Sequence, residues 1–345
     1  MYSYSYTEYE LGKKIESMNG DLYLVGGAVR DSIMGLQAHD RDYVITGLQE
    51  STFLRAFPEA KKTGNLFPVY RINIEGELCE VAFARSEKKD GVGHKGFAVE
   101  FSPTTTIEED LRRRDLAMNA MAIHVLSKKV VDPFGGADDL EARRLRHVSE
   151  AFAEDPLRVL RAARFAAKMG GFSISAQTNA LMKSLKEEMR SLPKERIFEE
   201  VKKAMETQKP SVFFYELETA DCLEFVFEGP FEGRFMDEMP SVNTKVASAT
   251  SKGGKLKATC KEWQMAEKIG HLLPSTMDPI AWVRFIQEGK KLFSIEELNA
   301  LSGKKLDMAS AAMASIKGDA FLHIPGRERR EAIEQAQALA IAPLL

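Results

Sequence analysis

The spacing of apolar residues changes near residue 140, and this change constrains the fold more than any other feature. Before it, five segments carry the β-branched or alternating apolar residues typical of strands: 22–25, 42–45, 69–74, 79–84 and 120–126. After it, apolar residues recur at helical spacing in 156–168, 176–189, 194–205, 211–218, 259–273, 279–287, 295–300 and 326–340. The pattern predicts an α+β fold in which one mixed sheet is followed by an all-helical region.

The length predicts more than one folded unit, because 345 residues are too many for one ordinary hydrophobic core. We predict a mixed-sheet head over 1–140, a helical neck over 141–210, and a helical body and tail over 211–345. Hydrophobic residues make up 44% of the chain and charged residues 29%, which indicates a soluble globular protein.

The net charge and the cysteines exclude several classes of protein. A formal charge of −3 argues against a uniformly basic surface, so we expect any RNA contact to be local. The three cysteines, Cys79, Cys222 and Cys260, are widely spaced and suggest neither a disulfide framework nor a zinc site. The N-terminus lacks the apolar core of a signal peptide, and no run of about 18 apolar residues follows it. We therefore expect a cytoplasmic protein without a membrane segment.

Two glycines end the first predicted strand. Gly26 and Gly27 lie between the apolar segment 22–25 and a predicted helix. Glycine lets the backbone approach a phosphate closely, and the free N–H groups at the start of a helix bind anions. A tight turn between a strand and a helix also uses glycine for structural reasons, so the turn alone leaves both interpretations open.

Two aspartates lie at the start of the second predicted strand. Residues two apart in a strand point to the same face, so Asp40 and Asp42 should project together while Arg41 points away. Two close carboxylates repel each other, and a divalent cation removes that repulsion. A solvated acidic strand edge is the alternative. The glycine turn upstream favours two-metal phosphoryl transfer instead.

Five motifs in order extend this pattern: 26–31 with 40–42, then 113–120, 132–140, 154–161 and 193–200. Together they resemble the motifs of the class II nucleotidyltransferases, which comprise the CCA-adding enzymes and the bacterial poly(A) polymerases. The resemblance covers about the first 60% of the chain. It implies template-independent addition of C, C and A to the 3′ end of tRNA from CTP and ATP, with two Mg²⁺ ions and release of pyrophosphate.

The resemblance also implies roles for individual residues. Asp40 and Asp42 would be the catalytic metal ligands, and Glu80 is a candidate third carboxylate, although a single strand glutamate is as readily structural. Arg114 suits a triphosphate because its guanidinium is planar and always charged. Nucleotide contacts are expected at Gly26, Gly27, Arg30, Arg114, Asn119, Asp155, Arg158 and Arg161.

Asp155 and Arg158 are the candidates for selecting the base. Three residues apart on a predicted helix, they should lie on one face. Cytosine and adenine both present an exocyclic amine beside an unprotonated ring nitrogen. An aspartate accepts from the amine and an arginine donates to the nitrogen, so the pair would accept C and A and reject U and G. An ion pair within the helix is the alternative.

The segments 64–70, 80–87 and 96–97 are similar to those of bacterial CCA-adding enzymes and favour complete CCA addition. Enzymes that add only CC or only A, and poly(A) polymerases, remain alternatives. A non-catalytic RNA-binding relative is another, against which the retention of Asp40 and Asp42 argues. The glycine- and lysine-rich loop 87–96 would, by the resemblance, help to switch from C to A addition; a hairpin without that role is the alternative.

The region after residue 210 departs from these bacterial relatives. Their HD phosphohydrolase domain needs a His-Asp pair, and the pair His39-Asp40 belongs to the first motif here, so we expect no hydrolase activity. We expect tRNA to bind through its 3′ end and acceptor arm, with no obligate protein partner. Candidate RNA contacts are Lys255, Lys257, Arg327 and Arg330, and further Lys245, Lys252, Lys261 and Arg329. A solvated helical face is the alternative for either cluster.

Overall fold

The structure is a computed structural model that describes residues 6–37, 41–63, 68–74, 77–89, 97–233, 235–322 and 324–345. Asp40, most of the segment 64–70 and most of the loop 87–96 lie outside the described residues. The chain divides into two compact units, Met1–Leu192 and Pro193–Leu345. The division into head, neck, and body with tail stays a prediction.

A seven-stranded mixed sheet forms the centre of the first unit, as far as its residues are described. Its order is β3-β4-β5-β2-β1-β8-β9, with β2 and β5 parallel and the other neighbours antiparallel. These strands are β1 Asp21–Val25, β2 Asp42–Thr46, β3 Lys61–Thr63, β4 Val69–Ile74, β5 Glu77–Phe83, β8 Ala122–His124 and β9 Val130–Val131. A separate antiparallel pair joins β6 Arg85–Lys89 to β7 Phe97–Phe101.

Helices of the first unit lie between and after these strands. They are α1 Tyr6–Glu16, α2 Gly27–Ile33, α3 Glu50–Ala56, α4 Ile107–Arg112, α5 Gly136–Glu141, α6 Leu157–Lys168 and α7 Ala176–Ser184. A capping box starts α4, because the Thr106 hydroxyl accepts from the Glu109 N–H and the Glu109 carboxylate accepts from the Thr106 N–H. The predicted helix over 176–189 ends five residues earlier, at Ser184, and a short 3₁₀ turn, Glu188–Ser191, follows.

The two faces of the central sheet have different neighbours. The front face, defined by Val25, Asp42 and Val44, packs its apolar residues against Ile107 and Leu111 of α4. The side chains of successive strand residues alternate between faces, so the residues between these positions belong to the back. Asp42 therefore lies on the same face as the α4 core.

The back face, defined by Tyr43 and Tyr70, is covered by α1 and α3. Phe53 of α3 contacts Tyr70, with ring centroids 5.4 Å apart. Glu8 of α1 is buried and accepts a hydrogen bond from the Tyr43 hydroxyl. Each helix thus contributes a side chain that meets a tyrosine of the sheet.

The second unit is mainly helical. Its helices are α8 Lys194–Met205, α9 Pro210–Thr219, α10 Val242–Thr250, α11 Lys261–His271, α12 Pro279–Gly289, α13 Ile295–Ser302, α14 Asp307–Ser315 and α15 Gly326–Ile341. A Cβ at Gly270 of α11 would lie 2.2 Å from the Ala247 carbonyl oxygen of α10, so glycine allows these two helices to pack closely. Among the described residues, no helix is both long and apolar enough to cross a membrane.

After residue 140 the structure contains two short strand pairs that the sequence did not predict. They join β10 Arg144–Leu145 to β11 Ser173–Ile174 and β12 Phe227–Glu228 to β13 Lys255–Leu256. Strands of two residues are too short for a periodic apolar pattern to reveal.

Candidate functional site

The glycine turn joins β1 to α2 and brings two arginines together. Gly26 has φ of 71°, a conformation that disfavours any other residue. A Cβ at Gly26 would lie 3.1 Å from Arg114 Nη1, and a Cβ at Gly27 would lie 3.6 Å from Arg30 Nη2. Two guanidinium groups therefore border the turn at which the sequence predicts a phosphate site.

Arg114 retains an unused hydrogen-bond donor. Its Nη2 donates to Asp110 Oδ2 at 3.2 Å, whereas its Nε is buried and has no hydrogen-bond partner among the described residues. Burial alone would raise the pKa of Asp110, but the charges of Arg113 and Arg114 hold it below its usual value. An anion beside the turn would satisfy the remaining donor, since a buried N–H without an acceptor costs about 1–3 kcal/mol.

Arg30, by contrast, has protein partners for its guanidinium. It is buried, its Nη1 donates to Asn119 Oδ1 at 2.8 Å, and its Nε donates to Asp31 Oδ1 at 2.8 Å. These bonds hold the Asn119 amide in place beside the turn. A direct contact between Arg30 and a nucleotide stays a prediction.

Asp42 and Glu80 lie side by side on the front face. They are register partners in the parallel ladder of β2 and β5, and the Asp42 side chain is exposed. The Glu80 carboxylate pairs with the Arg71 guanidinium at 2.9 Å. An exposed carboxylate oxygen is a suitable ligand for Mg²⁺, so Asp42 fits the predicted metal. Arg71 Nε and Nη2 both contact Oε1 of the Glu80 carboxylate.

No group of three or more His, Cys, Asp or Glu side chains that could hold a metal occurs among the described residues, a set without Asp40. The roles of Asp40, Asp42 and Glu80 as catalytic residues therefore stay predictions.

The predicted placement of Asp155 and Arg158 on one helix is wrong. Helix α6 begins at Leu157, and Asp155 precedes it in an extended conformation. The Asp155 carboxylate accepts a hydrogen bond from the Leu157 N–H at 3.1 Å, as a side chain at the start of a helix does. Pro156, which follows Asp155, fits the first turn of a helix, and its ring disfavours the helical conformation for the residue before it.

Arg158 and Arg161 both use their guanidinium groups within the protein. Arg158 donates to the carbonyl oxygens of Ala151 and Arg113, the latter at 2.6 Å from Nη2. Arg161 pairs with the buried carboxylate of Asp115 at 2.7 Å. These contacts fix both arginines at the start of α6, next to the segment that carries Arg113 and Asp115.

Asp115 and Phe165 are two members of the site that the sequence argument did not single out. Burial would raise the pKa of Asp115, but the Arg161 guanidinium and the Leu116 N–H hold it below its usual value. The Phe165 ring is approached by three guanidinium groups, with centroid distances of 5.7, 6.0 and 4.6 Å to Arg30, Arg161 and Arg164 respectively. Asp115 stood inside the second motif, but its partner Arg161 is 46 positions away.

The candidate RNA contacts of the second unit fall into two groups. Lys255 and Lys257 are exposed on either side of buried Leu256, and Lys252 and Lys261 are exposed as well. Arg330 is exposed and pairs with Glu334 at 3.3 Å, while the side chain of Arg327 lies outside the described residues.

Two further candidates bind backbone oxygens instead. Lys245 Nζ donates to the carbonyl oxygens of Met205 and Thr207, at 3.2 and 2.9 Å. Arg329 donates to the carbonyl oxygens of Leu322 and Ile324. Both side chains therefore hold the ends of structural elements, and burial lowers the pKa of Lys245.

Two known families match parts of this chain. Residues 22–146 match the family described as the Poly A polymerase head domain, and residues 171–231 match the one described as the probable RNA and SrmB-binding site of polymerase A. The first match contains the glycine turn, Asp42 and Arg114.

Known proteins are similar over the same region. The Multifunctional CCA protein of Haemophilus ducreyi is 45% identical over 210 residues, which cover 60% of this chain and 50% of that protein. The CCA-adding enzyme of Marinobacter nauticus is 49% identical over 207 residues, which cover 59% and 54% respectively. The chain thus spans about half the length of these relatives. The matches confirm the resemblance to the class II nucleotidyltransferases.

Solved structures share the fold. The Bacillus stearothermophilus CCA-adding enzyme in complex with CTP is similar with a TM-score of 0.64 over 98% of this chain and 92% of that chain, at 20% identity. The Thermotoga maritima CCA-adding enzyme complexed with tRNA gives a TM-score of 0.57 over 96% and 77%, at 21% identity. These likenesses confirm an α+β head followed by a helical region.

Proposed function

We propose that this chain, whose N-terminal region resembles the class II nucleotidyltransferases, adds C, C and A to the 3′ end of tRNA from CTP and ATP. The observation that carries the proposal is the Arg114 guanidinium, in the unit that presents Asp42. Its Nη1 borders the Gly26 turn, and its buried Nε has no hydrogen-bond partner among the described residues. The names of the relatives as CCA-adding proteins support the same activity. The alternatives are addition of CC or A alone and poly(A) synthesis.

The reaction is an in-line displacement at phosphorus. The RNA 3′-hydroxyl oxygen forms a bond to the α-phosphorus of CTP or ATP, and the bond from that phosphorus to the bridging oxygen breaks. The bridging oxygen keeps the electron pair and leaves with pyrophosphate. Asp40 and Asp42, with Glu80 as a third carboxylate, would hold two Mg²⁺ ions, which when bound favour loss of the hydroxyl proton and stabilise the leaving oxygen.

The chain's own residues bind and orient the nucleotide. The backbone N–H groups after Gly26 and Gly27 and the free donor of Arg114 would bind the triphosphate. Asn119 accepts from Arg30 through Oδ1 and donates from Nδ2 to Asp115 Oδ1 at 3.4 Å, so its second amide N–H would serve the ribose. Arg161 would contact the base or the triphosphate from the start of α6.

Base selection would use Asp155 and Arg158 even though they do not share a helix. The Asp155 carboxylate uses Oδ1 for the Leu157 N–H, and a carboxylate can accept several hydrogen bonds. Arg158 is fixed by two carbonyl oxygens, which restricts its guanidinium to one orientation. A fixed acceptor and a fixed donor would match the edge shared by cytosine and adenine.

RNA affinity would come from cations of the second unit, because phosphate contacts dominate RNA binding. The proposed contacts are Lys252, Lys255, Lys257, Lys261, Arg327 and Arg330. The functional division into head, neck, and body with tail, and a cytoplasmic location, follow from the same proposal.

The test is incorporation on tRNA that lacks its terminal CCA. With Mg²⁺, CTP alone should extend the RNA by two residues, and CTP with ATP by three; EDTA should abolish both.

Asp42→Ala should lower activity by about 1,000-fold or more and leave the affinity for tRNA unchanged, because only the metal-binding carboxylate is removed. Asp21→Asn removes an exposed carboxylate elsewhere on the front face and is the matched control. Long A tails from ATP alone would establish a poly(A) polymerase instead, and no incorporation at all would refute the proposal.

A further inference from the structure

Glu8 is a completely buried glutamate that the proposed reaction does not use. It lies on α1, on the back face of the sheet, and its relative exposure is 0%. Burial of a carboxylate is costly unless a cation or hydrogen-bond donors compensate its charge. The partners of Glu8 therefore show what the burial holds in place.

Those partners flank the candidate metal ligand Asp42. The Tyr43 hydroxyl donates a hydrogen bond to Glu8 Oε1, and Arg41 Nη1 lies 3.4 Å from the same oxygen. Tyr43 is 1% exposed, and the Arg41 side chain is 20% exposed. One carboxylate on a separate helix thus binds the residues immediately before and after Asp42.

The alternation of side chains gives this contact a consequence on the other face. When Arg41 and Tyr43 are held on the back, Asp42 must project from the front, where it is exposed beside Glu80. A rotation or one-residue slip of β2 would move Asp42 to the back face. Glu8 opposes that movement, because it would leave a buried carboxylate without its cation.

We propose that Glu8 is a positioning residue that sets the orientation of the candidate metal ligand Asp42 through Arg41 and Tyr43. The inference rests on the proposed function for the identity of the metal site. Side chains that orient metal ligands typically change metal affinity by about 10- to 100-fold when they are replaced. Metal binding therefore measures this role without relying on turnover.

The back face offers a matched control. Tyr70 lies on the same face and is buried. Its hydroxyl donates a hydrogen bond to Glu50 of α3, as the Tyr43 hydroxyl does to Glu8. Glu50 is more exposed, at 42% of its side chain, and its cation is Lys62, which does not flank Asp42. Glu50→Gln and Tyr70→Phe therefore remove the same chemical contacts from the same sheet away from the metal site.

The experiment measures Mn²⁺ binding by calorimetry in the presence of CTP, together with kcat and KM for CCA-lacking tRNA. Glu8→Gln keeps the side-chain size and removes the charge that pairs with Arg41. We expect it to raise the Mn²⁺ Kd by about 10-fold or more and to lower kcat with little change in the KM for tRNA. Tyr43→Phe should shift both in the same direction by a smaller factor. The Glu50→Gln and Tyr70→Phe variants should bind Mn²⁺ as the unmodified chain does.

Equal Mn²⁺ affinity in the unmodified chain and in folded Glu8→Gln would overturn the inference, as would an equal loss in the control variants. If Glu8→Gln fails to fold, Tyr43→Phe decides, and unchanged Mn²⁺ affinity there would leave Glu8 with a structural role only. An unmodified chain that binds Mn²⁺ but transfers no nucleotide would refute the proposed function, whereas the comparison of Mn²⁺ affinities would still test Glu8. An unmodified chain that binds no Mn²⁺ would overturn the inference together with the metal site.

Discussion

Arg114 at the glycine turn differs from the two candidate arginines at the start of α6 in how its guanidinium is bonded. At the turn, Arg114 has a buried Nε without a partner among the described residues. At the start of α6, Arg158 donates to two carbonyl oxygens and Arg161 to Asp115. Arg114 can therefore still gain a hydrogen-bond acceptor from a ligand. Arg158 and Arg161 already have acceptors within the protein, and these contacts fix their orientation.

The difference separates two ways in which an arginine serves a binding site. A donor left unsatisfied in the protein gains a partner when the ligand binds, so its loss should appear as weaker binding. A donor already satisfied contributes orientation, so its loss should appear as weaker discrimination or lower stability. This distinction can be tested one region at a time.

Among the substitutions that test this comparison, Arg114→Met should have the largest effect. The variant removes the charged donor beside Gly26 and leaves Asp110 paired with Arg113, so the fold should persist. We expect kcat/KM for both CTP and ATP to fall by at least about 100-fold, since a hydrogen bond to a charged group contributes about 1.5–3 kcal/mol and more than one is lost. Single-nucleotide addition to truncated tRNA measures this ratio.

The control for that change is Arg112→Met. Arg112 is exposed, its guanidinium lies 5.7 Å from the Phe134 ring, and it is not among the atoms nearest to a Cβ at Gly26 or Gly27. Its replacement should leave kcat/KM within about twofold, as expected for an exposed charge. If both variants lose activity equally, Arg114 acts through general charge, and the contrast between the two regions fails.

Asp155 should give a smaller effect that reports on selection. Asp155→Ala and Asp155→Asn should both lower the preference for CTP over UTP by roughly 10- to 100-fold, because each lacks the anionic acceptor for the base amine. Only the alanine variant should lose stability, by about 1 kcal/mol, since asparagine can still accept from the Leu157 N–H. Addition of each of the four nucleotides in turn, with thermal melting, separates the two effects. Unchanged preference in both variants would show that Asp155 serves only the start of α6.

Much of the fold could be predicted from the sequence because its elements have regular apolar periods. The strand predicted over 69–74 is β4, and the helix predicted over 194–205 is α8, both with the same bounds. Helices α10 and α14 were not predicted, because their many Ala, Ser and Thr residues give no clear apolar stripe. The helix predicted over 156–168 begins at Leu157, so Asp155 lies before both the predicted and the observed start, and its placement on the helix did not follow from the apolar period.

The sequence named candidate residues for the site but could not give their contacts. Motif order placed Arg114 with the glycine turn, and the structure puts Arg114 Nη1 within 3.1 Å of a Cβ at Gly26. The burial and the hydrogen-bond partners of the candidate residues depend on residues distant in sequence. Glu8, which accepts from the Tyr43 hydroxyl, is 35 positions away from it. No local pattern reveals such a pair, because the two residues meet only after the sheet and α1 have packed.

The smallest expected effect concerns the stability that Asp115 provides at the start of α6. Because the Arg161 guanidinium holds the pKa of Asp115 below its unfolded value, the ion pair stabilises the fold above the usual carboxyl pKa, near 4. That contribution is lost as the pH falls through the lower, folded-state pKa. Arg161 is 36% exposed, so solvent screens the pair, and we expect a contribution of about 1 kcal/mol, or about 2–4 °C in melting temperature.

Asp115→Asn should therefore melt below the unmodified chain at pH 7, and the difference should shrink as the pH falls below about 4. Asp138→Asn, which alters an exposed carboxylate of α5, should show no such pH-dependent difference. A difference for Asp115→Asn that stays constant across this range would show that Asp115 stabilises the site without its charge, and the account of Arg161 as an arginine fixed by an ion pair would be wrong.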